Sequence, residues 1–157
     1  MTARRVAVLL AGLWVGGGWA DEATVAAPGD AAAGGRIAVQ CRTCHGAHGI
    51  AVIPVAPNIG GESASYLTRQ LAAFRSGARE NEMMSVVARG LSDRQIADVA
   101  AYYAGFTSTA EAPAAQPAPP ACVACHGANG IAVIPDAPNL AGETAMYLDT
   151  QDRKSVV

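Results

Sequence analysis

Large aromatic side chains are scarce in this sequence. Phe, Trp and Tyr make up 5% of the 157 residues, and both tryptophans, Trp14 and Trp19, fall in an N-terminal segment that reads as a removable leader. With Phe74 and Phe106 as its only phenylalanines, a small domain lacks the bulk for a self-sufficient core. Chains of this kind recruit a disulfide, a metal or a cofactor. Charge is thin too: 11 Lys and Arg, in no run longer than two, face 13 Asp and Glu for a net charge of −2. No basic stripe exists to track a phosphate backbone, which excludes nucleic acid as a partner. No segment alternates apolar and polar residues as a half-buried strand does, so the expected fold is all-α. With 51% hydrophobic residues the composition is nevertheless that of a folded chain.

The longest apolar stretch lies near the N-terminus. Arg4 and Arg5 precede an apolar run from Val6 to Val15, and Gly18 and Ala20 supply the small residues of a cleavage site. The run falls well short of the ~20 residues needed to span a bilayer. Residues 1–20 are therefore expected to be a secretory signal peptide and 21–28 a short extension, with the mature chain exported to a periplasm. Removing the leader deletes two arginines and no acid, leaving a charge of about −4.

What the chain does have is an internal repeat. At an offset of 81, Cys41-x-x-Cys44-His45-Gly46 superposes on Cys122-x-x-Cys125-His126-Gly127, and the match runs on to Tyr66-Leu67 against Tyr147-Leu148. Roughly two thirds of about 30 paired positions are identical. Residues 29–106 are expected to form a first domain and 121–151 part of a second. The Pro- and Ala-rich segment 107–120 reads as a semi-rigid linker, giving two beads on a short stiff string.

Three helices are legible in the first domain. Asp30 can cap one that runs through Ile37 to about Gln40 and delivers the chain to Cys41. Tyr66, Leu67, Gln70, Leu71 and Phe74 recur at helical spacing and stop at Gly77. Ser92 and Gln95 form a capping-box pattern ahead of Ile96, Val99, Ala100 and Tyr103. A Gly- and Pro-rich loop follows Cys44, and residues 79–91 read as another loop.

Four cysteines in two C-x-x-C pairs, each followed at once by His, admit three readings. In the first, the thiols of Cys41 and Cys44, and of Cys122 and Cys125, attach a c-type haem as thioethers, and His45 and His126 ligate the two irons. A shared zinc site is the second, but each pair sits in its own repeat with its own surroundings. A redox dithiol is the third, and it would need a βαβ context that this helical pattern does not offer. Haem is the reading that also fills the missing core.

At these residues the chain resembles the class I cytochromes c, and its tandem arrangement resembles the dihaem periplasmic cytochrome c-four group. The resemblance rests on Gly29-Asp30-x-x-x-Gly34 ahead of the first haem motif, on Tyr66-Leu67-x-x-Gln70-Leu71-x-x-Phe74-Arg75-x-Gly77, and on Leu91-Ser92-Asp93 through Ala101-Tyr102-Tyr103. It implies tandem class I domains, a haem c wrapped by several helices in each, and a thioether as second axial ligand of the first iron. Met83 and Met84 lie where the family places that ligand, and spacing back from Leu91 favours Met84. It also implies that Pro57 and Pro138, each twelve residues beyond the motif histidine, turn a carbonyl to the ring Nδ1 proton. His48, whose counterpart is Asn129, reads as a solvated loop residue.

The second repeat departs from the family pattern at its end. Past Gln151 it reads Asp152-Arg153-Lys154-Ser155-Val156-Val157, which resembles a translated sequencing-adapter read, so 152–157 are expected to be a non-native terminal scar. Met146 aligns with Ser65, the wrong place for a ligand, so the sixth ligand of the second iron is expected to be absent from this chain and its haem poorly held. The expected function is single-electron transfer between redox protein complexes, with no catalytic residues. The alternatives are a dihaem subunit of a dehydrogenase, such as a flavocytochrome sulfide dehydrogenase, and a haem ligand-binding or peroxidase-like protein. A membrane-bound oxidase or a flavoprotein is the partner class these readings imply.

Overall fold

The computed structural model describes residues 28–107 and 119–155, which are helical and loop with no strand among them. The expected leader, most of the extension at 21–28 and nearly all of the linker lie outside the described residues.

Helix α1 (Ala31–Ile37) starts because the Asp30 carboxylate accepts hydrogen bonds from the free amides of Ala32 and Ala33, at 2.8 and 3.1 Å. It runs on as a 3-10 turn over Ala38–Gln40, and the short α2 (Arg42–His45) follows. Helix α3 (Ala64–Ser76) is capped by the Ser63 hydroxyl and stopped by Gly77, whose φ of 83° only glycine adopts at little cost. Helix α5 (Asp93–Ala104) carries a complete capping box: Ser92 accepts from the Gln95 amide while the Gln95 side chain accepts from the Ser92 amide.

Residues read as a loop between Arg79 and Leu91 in fact contain a helix, α4 (Glu82–Arg89). The Asn81 side chain accepts from the amides of Met83 and Met84 at 3.1 and 3.0 Å, supplying a start signal that lies outside the apolar pattern. The helix packs on α3 through one small buried residue, Ala88, while Met83 and Val86 stay 63% exposed. At eight residues it spans little more than two turns, too short for its apolar pattern to stand out in the sequence.

Helices α1 and α5 cross backbone against backbone. A Cβ at Gly29 would lie 2.0 Å from the Ala97 carbonyl oxygen, and one at Gly34 would lie 1.9 Å from that of Asp98. The Asp30 amide also donates to the buried Asp98 carboxylate at 2.7 Å, fixing the start of α1 to α5. Behind this crossing Ala38, Leu67, Val99, Ala100 and Tyr103 form the core.

The second repeat contributes α6 (Pro120–His126), with proline at its first position, and α7 (Ala145–Ser155), whose backbone stays helical past Gln151. The two repeats touch directly and symmetrically. Ser63 Oγ donates to the Pro135 carbonyl at 2.5 Å, and its repeat counterpart Thr144 donates to that of Pro54 at 2.6 Å. Asn58 Nδ2 donates to the Gly142 carbonyl at 2.9 Å, and Asn139 Nδ2 to that of Gly61 at 3.2 Å. Between the repeats Arg79 donates to Gln70 and to its counterpart Gln151, at 2.6 and 2.8 Å. Such reciprocal contacts are those of an isologous two-fold interface, here built within one chain.

Candidate functional site

Each C-x-x-C-H segment ends a helix and enters a loop whose shape is set by glycine. Gly46 (φ 71°) and Gly127 (φ 70°) turn the chain just after the histidines, where a Cβ would meet the carbonyl of Ile50 or Ile131 at 2.1 or 2.2 Å. The loops then fold back identically. The Val52 amide donates to the Cys44 carbonyl and the Val133 amide to that of Cys125, both at 2.9 Å. Asn58 Oδ1 accepts from the Ala51 amide at 2.8 Å, as Asn139 Oδ1 does from Ala132 at 2.9 Å.

This folding brings Pro57 to His45 and Pro138 to His126. The ring Nδ1 atoms lie 2.9 Å and 2.8 Å from the two proline carbonyl oxygens. A carbonyl can only accept, so Nδ1 carries the proton and Nε2 keeps the lone pair that a metal requires. His45 is buried with 6% exposure. Burial pulls its pKa below the ordinary histidine value, against the opposing pull of the Pro57 carbonyl, so the ring is neutral at pH 7 as ligation demands. Burial likewise pushes the Cys41 thiol up.

Cys41, Cys44, Cys122 and Cys125 form no disulfide with one another. Among the described residues no three His, Cys, Asp or Glu side chains gather into a group able to hold a metal ion, so the two cysteine pairs do not close one thiolate zinc site. Each motif is followed instead by a bare apolar loop: Ile50, Val52, Ile53 and Val55 in the first repeat, Val133 and Ile134 in the second, are exposed at 37–64%. Unbridged thiols, an Nε2-ready imidazole and uncovered apolar side chains fit a covalently attached porphyrin. Met84 is half-buried on α4, more sheltered than its neighbour Met83, while Met146 is 54% exposed on α7. His48 lies on the surface with its ring 5.1 Å from that of Phe106.

The sequence reading assigned no role to Glu62 or Glu143, nor to Asn58 or Asn139. The signal that could have found them was present: each pair is identical at the 81-residue offset. Glu143 Oε1 accepts from the Asn58 amide at 2.9 Å, and Glu62 Oε1 from the Asn139 amide at 2.8 Å. Burial is the main cause that pushes both carboxyls up to about 7, partly offset by those amides, and the nearby Glu62 charge adds to the shift of Glu143.

Helices crossing at glycine around a C-x-x-C-H motif with an oriented imidazole define a c-type cytochrome. The comparisons agree. A family profile described as cytochrome c oxidase, cbb3-type, subunit III matches residues 29–102. The thiosulfate dehydrogenase electron acceptor of Stutzerimonas stutzeri is 38% identical over 133 residues, covering 73% of this chain but 62% of its own length. Cytochrome c4 of Pseudomonas aeruginosa is 33% identical over 141 residues, covering 80% of this chain and 70% of that protein. The crystal structure of reduced recombinant cytochrome c4 from Pseudomonas stutzeri superposes with a TM-score of 0.67 at 27% identity, over 78% of each chain. This chain belongs to the dihaem class I cytochromes c of the cytochrome c4 type, electron-transfer proteins whose cofactor is haem c.

Proposed function

We propose that the chain carries single electrons between redox protein complexes in the periplasm, using two haem c groups. Cys41 and Cys44 would hold the first by thioether bonds, with His45 and Met84 as ligands of its iron; Cys122, Cys125 and His126 would hold the second. When bound, the haem supplies a one-electron ferric/ferrous couple, which none of the twenty side chains offers near neutral potential. The chain's own residues supply the fixed frame. Pro57 and Pro138 lock the imidazole planes and tautomers, so the ligands need not turn between oxidation states. The uncharged sulfur of Met84 would favour the ferrous state and keep oxygen or peroxide off the iron.

The observation that carries this reading is the duplicated contact between histidine and proline carbonyl, on two motifs that also offer unbridged thiols. Carbon monoxide added to the reduced protein tests it. The first haem is expected to bind no carbon monoxide, while rapid mixing with a small reductant shows one electron taken up per haem. Ready binding of carbon monoxide at the first haem contradicts the carrier assignment.

A second reading rests on the relative named as a thiosulfate dehydrogenase electron acceptor, and makes this chain the electron-accepting partner of a dehydrogenase. Co-purification with a dehydrogenase, and reduction by that enzyme faster than by the small reductant, distinguishes it from a freely diffusing carrier.

A further inference from the structure

The two interface glutamates do more than join the repeats, because of where their hydrogen bonds land. His45 Nδ1 donates to the Pro57 carbonyl, and the nitrogen of that same peptide unit, Asn58 N, donates to Glu143 Oε1. In the other direction His126 Nδ1 donates to the Pro138 carbonyl, and Asn139 N of that peptide unit donates to Glu62 Oε1. Each relay is thus a ring N–H, a single peptide group and a carboxylate, and each crosses from one repeat to the other. Glu62 is 4% exposed. Glu143 Oε2 is buried without a hydrogen-bond partner among the described residues, so the directional pull of this carboxyl falls on the Asn58 amide.

We propose that Glu143 and Glu62 are positioning residues that tune the histidine of the opposite repeat, His45 and His126, through the Pro57–Asn58 and Pro138–Asn139 peptide groups. The physical route is polarisation along a hydrogen-bonded chain. A carboxylate at the peptide N–H draws the amide dipole toward itself and leaves more negative charge on the carbonyl oxygen. That oxygen accepts more strongly from the ring N–H, which gives the imidazole more imidazolate character. A more basic imidazole stabilises ferric over ferrous iron. The charge on one repeat thereby sets the redox balance of the other, and the two-fold docking of the repeats becomes part of the redox design. The chain needs no contact between a glutamate and either ring.

The proposal rests on His45 and His126 ligating haem iron, so the experiment counts haems first, by the mass of the full haem-loaded chain. Both proteins are compared at about pH 9, where the Glu143 carboxyl is ionised, so that Glu143→Gln keeps the acceptor oxygen and removes the charge. A Cys44→Ala background, which leaves one thioether and displaces the visible band of the first haem, tells the two haems apart. Two quantities are read: the ferric/ferrous constant of each haem and the ring Nδ1–H resonance of each histidine in protein labelled with 15N-histidine. Glu143→Gln is expected to shift the first haem toward the ferrous state by about threefold to tenfold, a tenfold change being about 59 mV for one electron. It is also expected to move the His45 ring resonance in the direction of a weaker hydrogen bond while that of His126 stays. Glu62→Gln is expected to give the mirror image on His126, and stands as the independent variant if the first folds poorly. Ring resonances that do not move, or a glutamate that acts on the histidine of its own repeat, overturn the proposal even where a potential shifts, since bare charge loss shifts potentials through space.

Discussion

The two repeats share a loop but not a surrounding. In the first, α1, α3 and α5 pack around Ala38, Leu67, Val99, Ala100 and Tyr103, and His45 is buried. In the second, the only buried hydrophobic residues described, Ala137 and Ala141, lie in the loop between α6 and α7, and His126 is half-buried. Yet the loop geometry is the same: Gly46 and Gly127 differ by one degree in φ, and the histidine–proline contacts are 2.9 and 2.8 Å. The difference teaches that the ligand-orienting loop is a local device, written in its glycines, prolines and the Asn58 or Asn139 side chain. The helices around it govern burial, not shape. What the second repeat lacks in helices of its own it offsets by docking on the first, through hydrogen bonds that the repeat itself duplicates.

The sharpest break in the comparison is Met84, which lies in the first repeat beyond the stretch that the second matches. Met84→Ala is expected to abolish the red-end sulfur-to-iron band of the ferric protein completely, whereas Met83→Ala leaves it in place; absorption spectra of the two variants decide. Next comes Gly34→Val, which forces a side chain into the Asp98 carbonyl and should cost about 3 kcal/mol, read as a lower midpoint in chemical denaturation. If the loops are local devices, the histidine resonances of the second repeat survive that change.

The docking has its own pH signature. Glu62 and Glu143 sit at about 7 in the folded chain against 4.5 for an ordinary glutamate, so the folded state holds protons that the unfolded state has released. Their contribution to stability is therefore greatest below about 4.5 and falls as pH rises through about 7. Denaturation midpoints measured across that window should decline, and the Glu62→Gln, Glu143→Gln double variant should flatten the decline. The smallest effect is Ser92→Ala, which removes one half of the capping box of α5 and should cost about 1 kcal/mol without touching the second repeat.

Much of this was legible in the sequence because it is local. Asp30, Gly77 and the Ser92–Gln95 pair each act within four residues of themselves, and they set helix ends where the structure has them. The face of Ile96, Val99, Ala100 and Tyr103 is buried as its spacing required. Helix α4 escaped although its Asn81 cap is as local as the others, because it is only eight residues long and its methionines, Met83 and Met84, resemble those of a ligand-bearing loop. The docking escaped for a different reason. Glu143 and Asn58 are 85 residues apart and Glu62 and Asn139 are 77 apart, so no local rule joins them. Only their identity across the repeat marks them, and identity in a repeat does not by itself say which partner each side chain meets.

The claim on which the rest stands is that both C-x-x-C-H motifs carry covalent haem. The direct measurement is the intact mass of the exported, purified chain together with its absorption spectrum. The account requires the polypeptide mass plus that of two haems, with a Soret band that survives denaturation and extraction. A mass equal to the amino acids alone, with no Soret band, contradicts it.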